Sequence, residues 1–94
     1  MICSACIATY KRSQLLKKLL DGILNQNVTD NIRLQVIVVD NDVEKSAEHI
    51  IKEYENRENI IFEYFVQPEK NTSLTRNVAV ENSIGDYLLF IDDD

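Results

Sequence analysis

The sequence predicts an α/β domain, a Rossmann-like parallel sheet built as β-α-β-α-β-α-β. Two observations carry this reading. Short apolar runs at residues 2–8, 34–39, 60–66 and 87–91 alternate with amphipathic stretches long enough to carry the chain back across a sheet, which implies right-handed crossovers and parallel strands. The runs are near-continuous in apolar residues rather than alternating, as expected where helices cover both faces.

The elements follow in order. Residues 2–8 form the first strand and end in Thr9-Tyr10-Lys11-Arg12. Ser13 then precedes Leu15, Leu16, Leu19, Leu20, Ile23 and Leu24, a spacing that makes one apolar helical stripe with Lys17, Lys18 and Asp21 off it. Asn25, Asn27 and Asp30 end that helix. The β-branched run at 34–39 is a second strand, Asp40-Asn41-Asp42 a turn, and Ala47, Ile50, Ile51 and Tyr54 mark a second amphipathic helix. Residues 60–66 read as a third strand, 67–71 as a loop and 72–83 as a third helix with Leu74, Val78 and Ile84 as apolar positions. Gly85-Asp86 is the turn before a fourth strand at 87–91.

With 94 residues the chain holds one domain at most, and 45% hydrophobic with 28% charged residues is the composition of a folded protein rather than a linker. A net charge of −6 argues against a nucleic-acid backbone or an anionic membrane as the main partner, because both select for Lys and Arg patches. The N-terminal segment has no basic leader and its apolar run is too short for a signal core or a membrane span, so a cytoplasmic location is expected. Cys3 and Cys6 form a C-x-x-C, but inside a strand positions three apart point to opposite faces, so two separate structural thiols are expected. His49 falls on the polar side of the second helix and is expected to be solvated.

In open α/β sheets ligands bind outside the carboxyl ends of the strands, and the polar clusters at 9–12, 40–42, 67–76 and 92–94 all fall there. Asp92, Asp93 and Asp94 come directly after five apolar residues. Three adjacent carboxylates repel one another unless solvent or a divalent cation screens them, and Mg²⁺ or Mn²⁺ held by one or two of them suits a diphosphate ligand. The alternative is a solvated acidic tail. Asp40 either accepts a ring N–H or a ribose hydroxyl from a ligand, or caps the turn that follows. Arg76 either forks onto a phosphate or stacks on a base, or is a surface cation. Thr9, Tyr10 and Arg12 either contact base and phosphate from the first loop or are ordinary residues of a strand-to-helix connection. No GxGxxG follows the first strand and no GxxxxGK[ST] occurs, which argues against a dinucleotide site and a P-loop.

Four motifs in order, Cys6-Ile7-Ala8-Thr9-Tyr10-Lys11-Arg12, Val36-Ile37-Val38-Val39-Asp40-Asn41, Ser73-Leu74-Thr75-Arg76-Asn77 and Gly85-Asp86-Tyr87-Leu88-Leu89-Phe90-Ile91-Asp92-Asp93-Asp94, resemble those of the GT-A-fold family 2 glycosyltransferases. The resemblance covers essentially the whole chain. It implies strand order 3-2-1-4 and an inverting, metal-dependent transfer of a sugar from a nucleotide-diphosphate donor, a UDP-sugar being favoured, to the hydroxyl of a saccharide or lipid-linked acceptor. On it, Thr9 and Asp40 hold the base, with Tyr10, Arg12 and Asn41 also at the nucleotide sugar. Arg76 lies near base or phosphate, Asp92 contacts ribose or metal, Asp93 contacts the donor and Asp94 ligates Mn²⁺ or Mg²⁺. Family members usually carry a Gly where Asn71 stands here.

The resemblance further implies that residues 1–94 are a truncated GT-A fold, the nucleotide-sugar-binding half, with the acceptor half and its general base beyond Asp94. Such a fragment is expected to bind donor nucleotide without transferring sugar, and to pair with a second copy through strand 87–91. The full-length protein is expected in the cytoplasm or peripheral to a membrane. A sugar nucleotidyltransferase is the competing enzyme class, disfavoured by the absence of a glycine-rich basic loop after the first strand. A non-catalytic nucleotide- or metal-binding domain is the other alternative. A receiver-like signalling domain would need an acidic pair where Thr9-Tyr10 stands.

Overall fold

The computed structural model describes residues 2–24, 33–54, 60–69 and 72–92. The elements run β1 (Ile2–Thr9), α1 (Ser13–Leu24), β2 (Arg33–Asp40), α2 (Glu48–Tyr54), β3 (Ile60–Val66), α3 (Thr72–Asn82) and β4 (Tyr87–Asp92). The four strands form one parallel sheet in the order β3-β2-β1-β4. Both the alternation and the order match the expectation from sequence.

Each of β1, β2 and β4 runs past its apolar run into the first polar residue, because the ladder needs only backbone groups. Thr9 pairs with Asp40, Ala8 with Asp92, and Asp40 with Val66. The next amides continue the pattern, Asn41 N donating to Thr9 O at 2.9 Å and Gln67 N to Asp40 O at 2.8 Å. The polar strand ends are therefore rungs of the sheet.

Two apolar clusters cover the sheet. On one face Leu16 and Leu20 of α1, Ala47, and Ile50, Ile51 and Tyr54 of α2 pack on Ile7, Val36 and Val38. Ala79 of α3 closes the other face over Cys6, Ile37 and Val39, with Val78, Phe65 and Leu88 alongside. Removing apolar area of this kind from water is the main stabilising contribution, at roughly 25 cal/mol per Å². Cys6 is buried and Cys3 half-buried, both free thiols. Burial pushes the Cys6 thiol up from 9.0 to about 11.

The third helix departs from the expectation. It ends at Asn82, and Ile84 is 60% exposed instead of packing with the helix. Small residues, Thr75 and Ala79, face the sheet, so α3 lies close upon it. Asn82 Nδ2 turns back to Val78 O at 2.8 Å, while its own carbonyl accepts from Gln35 Nε2 at 2.9 Å. The helix thus stops where a strand side chain takes over its carbonyl.

Candidate functional site

An open cleft of about 470 Å³ lies at the carboxyl ends of the strands, lined by Tyr10, Lys11, Asn41, Asp42, Val43, Glu44 and Pro68. Its walls are the segments that follow β1, β2 and β3, at the sheet edge where the sequence places the polar clusters.

The β1–α1 segment turns sharply. Lys11 has a φ of 49°, a left-handed angle that a side chain with a Cβ adopts at a cost of roughly 1–3 kcal/mol. The turn brings the Lys11 ammonium over the Tyr10 ring, 5.3 Å from its centroid. Arg12 lies outside the cleft lining, and its carbonyl accepts from Leu16 N at 2.9 Å to begin α1. Behind the loop, Thr9 is 2% exposed, and its hydroxyl is the buried side-chain polar atom without a hydrogen-bond partner among the described residues. A buried hydroxyl left unsatisfied costs about 1–3 kcal/mol, and Thr9 lies behind the residues that line the cleft rather than among them.

Asp40 takes the turn-capping role, one of the two alternatives that its position offers. Its carboxylate is fully buried. Oδ1 accepts from Asp42 N at 2.9 Å, and Oδ2 accepts from Ala47 N at 3.0 Å and from the Tyr64 hydroxyl at 2.7 Å. With both oxygens taken up by its own chain, Asp40 does not face the cleft as a base contact. It fastens residues 41–47, which form the cleft wall, to the end of the sheet. Burial and this bond raise the Tyr64 phenol well above its usual range.

Asn41 and Asp42 complete that wall. Asn41 Nδ2 donates to Gln67 O at 2.9 Å and to Thr75 Oγ1 at 3.2 Å, tying the β2 end to the loop after β3 and to α3. Asp42 Oδ1 accepts from Glu44 N at 3.0 Å, a local turn closed two residues on. The Glu44 amide first, then the Ser46 hydroxyl, hold the Asp42 carboxyl below its ordinary value. Among the residues that line the cleft, Lys11 is the cation facing Asp42 and Glu44, so it supplies the offset that an anionic ligand requires in an acidic protein. Sequence reasoning placed Lys11, Asp42 and Pro68 in the polar clusters at this edge without giving them a role, and Val43 and Glu44 lie outside those clusters. The closely spaced acids around Asn41 were the available signal.

Arg76 is exposed on α3 and lies outside the cleft lining, its guanidinium 5.0 Å from the centroid of the Phe90 ring on β4. Phe90 stands two positions along β4 from Asp92. Asp92 itself ends β4, its backbone level with Ala8 on β1. Asp93 and Asp94, like Asn71, lie outside the described residues. Among the described residues no group of three or more His, Cys, Asp or Glu is placed to hold a metal ion.

The family model for glycosyl transferase family 2 matches residues 4–94. This chain belongs to that family. It is 38% identical over 88 residues to the succinoglycan biosynthesis protein ExoM of Rhizobium meliloti, covering 94% of this chain and 28% of ExoM. It is 36% identical to an uncharacterised glycosyltransferase of Methanocaldococcus jannaschii, covering 97% of this chain and 31% of that protein. Among solved structures, residues 1–349 of TarS from Staphylococcus aureus superpose with a TM-score of 0.81 at 26% identity, over 100% of this chain and 28% of that one. The family member described here therefore has the GT-A fold over a span of less than a third of its relatives' length.

Proposed function

We propose that this chain is the donor-nucleotide-binding part of an inverting, metal-dependent glycosyltransferase that takes a nucleotide-diphosphate sugar, a UDP-sugar by preference, and delivers a hexosyl group to a saccharide or lipid-linked hydroxyl in the cytoplasm. The observation that carries the proposal is the cleft at the carboxyl ends of β1, β2 and β3, backed by the unpartnered Thr9 hydroxyl. The fit to each part of the donor differs. Tyr10 offers an aromatic face to a base, Asn41 a carbonyl acceptor, and Lys11 a positive charge to the diphosphate. Thr9 supplies a hydroxyl that has no internal partner. For the metal, the donor set is Asp92 with Asp94, hard oxygen ligands suited to Mn²⁺ or Mg²⁺. A metal ion there supplies Lewis-acid stabilisation of the leaving diphosphate. In this reading Arg76, whose guanidinium lies 5.0 Å from the Phe90 ring on β4, shares the phosphate charge.

Calorimetric titration of the chain with UDP, in Mn²⁺ and in chelator, tests this. The expected result is binding in Mn²⁺ that is lost in chelator, and loss of the metal dependence in Asp94→Ala. Equal affinity in both conditions removes the metal role, and the absence of binding by any nucleotide overturns the whole reading.

A further inference from the structure

Every position of β4 from Tyr87 to Ile91 is apolar, and among the described residues the strand pairs only with β1. Register is strongly specified where a slip would move an apolar set from a buried face to solvent, and a strand apolar on both faces lacks that contrast. A slip of one position would move the strand by about 3.3 Å and turn each side chain to the other face. For β4 such a slip exchanges one apolar set for another, so the side chains of the strand select its register poorly. The selection must come from outside the strand.

The turn between α3 and β4 supplies it. Asp86 N donates to Ile2 O at 2.7 Å, and Ile2 N donates back to Asp86 Oδ2 at 3.1 Å. Gly85 N donates to Ser4 Oγ at 3.1 Å, and Ile84 N to Gln35 Oε1 at 3.0 Å. Ser4 and Gln35 are register partners on β1 and β2 and both are fully buried, the Ser4 hydroxyl donating to Gln35 Oε1. Gln35 Nε2 is in turn spent on Asn82 O and, at 3.2 Å, on Glu63 Oε1. Three successive amides are thus bonded to fixed points on two interior strands.

Gly85 makes the fit one of contact as well as bonding. A Cβ there would collide with Ser4 Oγ and come within 2.9 Å of Ile2 O and Ser4 N. Its φ is not positive, so the glycine is needed for close approach rather than for backbone freedom.

We propose that this turn is a register latch, with Gly85 as the positioning residue that sets where the acidic end of β4 stands against β1. The functional consequence rests on the reading of Asp92 and Asp94 as metal ligands, since a carboxylate displaced by one rung no longer meets a metal and a diphosphate held from β1 and β2. The latch lies at the amino end of the sheet and the cleft at the carboxyl end. Loosening it changes metal-dependent binding while leaving the β1–β2 cleft in place.

The test compares the wild-type chain with Gly85→Ala and with Gly22→Ala, a glycine substitution whose Cβ would meet nothing within 4 Å. Cross-strand NMR contacts report the Cys3–Tyr87 to Ala8–Asp92 pairing, and UDP titrations with and without Mn²⁺ report binding. In Gly85→Ala the pairing should shift and the affinity measured in Mn²⁺ should fall by about tenfold or more, as sub-ångström positioning of ligands demands. Gly22→Ala should alter none of these. Retained pairing in Gly85→Ala overturns the latch, and so does retained metal-dependent affinity. If the wild-type chain gains nothing from Mn²⁺, the functional reading fails and the NMR pairing alone decides the latch. If Gly85→Ala does not fold, Ser4→Ala removes the acceptor of the Gly85 amide without adding an atom, and unaltered β4 pairing there overturns the proposal.

Discussion

Asp40, which the sequence leaves between a ligand contact and a turn cap, bonds to residues of the cleft wall. The decisive partners are the Ala47 amide and the Tyr64 hydroxyl, and Tyr64 lies 24 positions away. That pairing is a fact of the β2–β3 register, which places residues 40 and 64 on the same face, and it could not be read from the local pattern. The alternative role of Asp40 as a turn-closing carboxylate was readable, because an Asp followed two residues later by another is a common turn pattern. A test follows from the geometry. Tyr64→Phe removes a hydrogen bond to a buried carboxylate and should lower stability by roughly 1.5–3 kcal/mol in urea denaturation. The pH dependence has a definite sign. Cys6 and Tyr64 both have folded-state values above their ordinary 9.0 and 10.0, so the unfolded chain loses those protons first. Their contribution is complete below pH 9 and is lost as pH rises, through about 11 for Cys6. Stability should therefore decline above pH 9, and Tyr64→Phe should flatten the part of the decline above pH 10. An unchanged alkaline profile in Tyr64→Phe would contradict the placement of Tyr64.

At the level of elements, periodicity gave the strands and α1 nearly to the residue. Leu16 and Leu20 recur at one helical face and both are fully buried. At the end of α3 the helix stops at Asn82, one residue short of the expected position 83, and Ile84 belongs to the turn. Competition from Gln35, which takes the Asn82 carbonyl and the Ile84 amide, ends the helix. A single Gln inside an apolar strand gives no hint of that network, since its partners lie 47 and 49 positions away. β4 presents a different feature. Tyr87 is 60% exposed, Leu89 55% and Phe90 45%, and apolar strands at a sheet edge are templates for another chain. Light scattering should show the mass of this chain rising with concentration, and Leu89→Lys should return it to a monomer, because an edge lysine opposes strand addition. A monomer at high concentration in the wild type would contradict the edge role.

For the molecule as a whole, the sheet order, the placement of polar residues at one edge and the family were all legible in four short motifs. Which of those residues line a common cleft was not. Tyr10 and Asn41 do, Arg76 sits over Phe90, and Lys11 enters because a left-handed backbone angle swings it over Tyr10. The resulting division is between a cleft formed after β1, β2 and β3 and an acidic strand end positioned from the far side of the sheet. The central claim is that nucleotide enters this cleft, and ¹⁵N-resolved NMR titration with UDP in Mg²⁺ tests it most directly. The account predicts that the amides of Thr9, Tyr10, Lys11 and residues 41–44 shift together while those of Ser4, Gln35 and Gly85 stay in place. Shifts confined to the amino end of the sheet, or to the exposed face of α3 and β4, would contradict it.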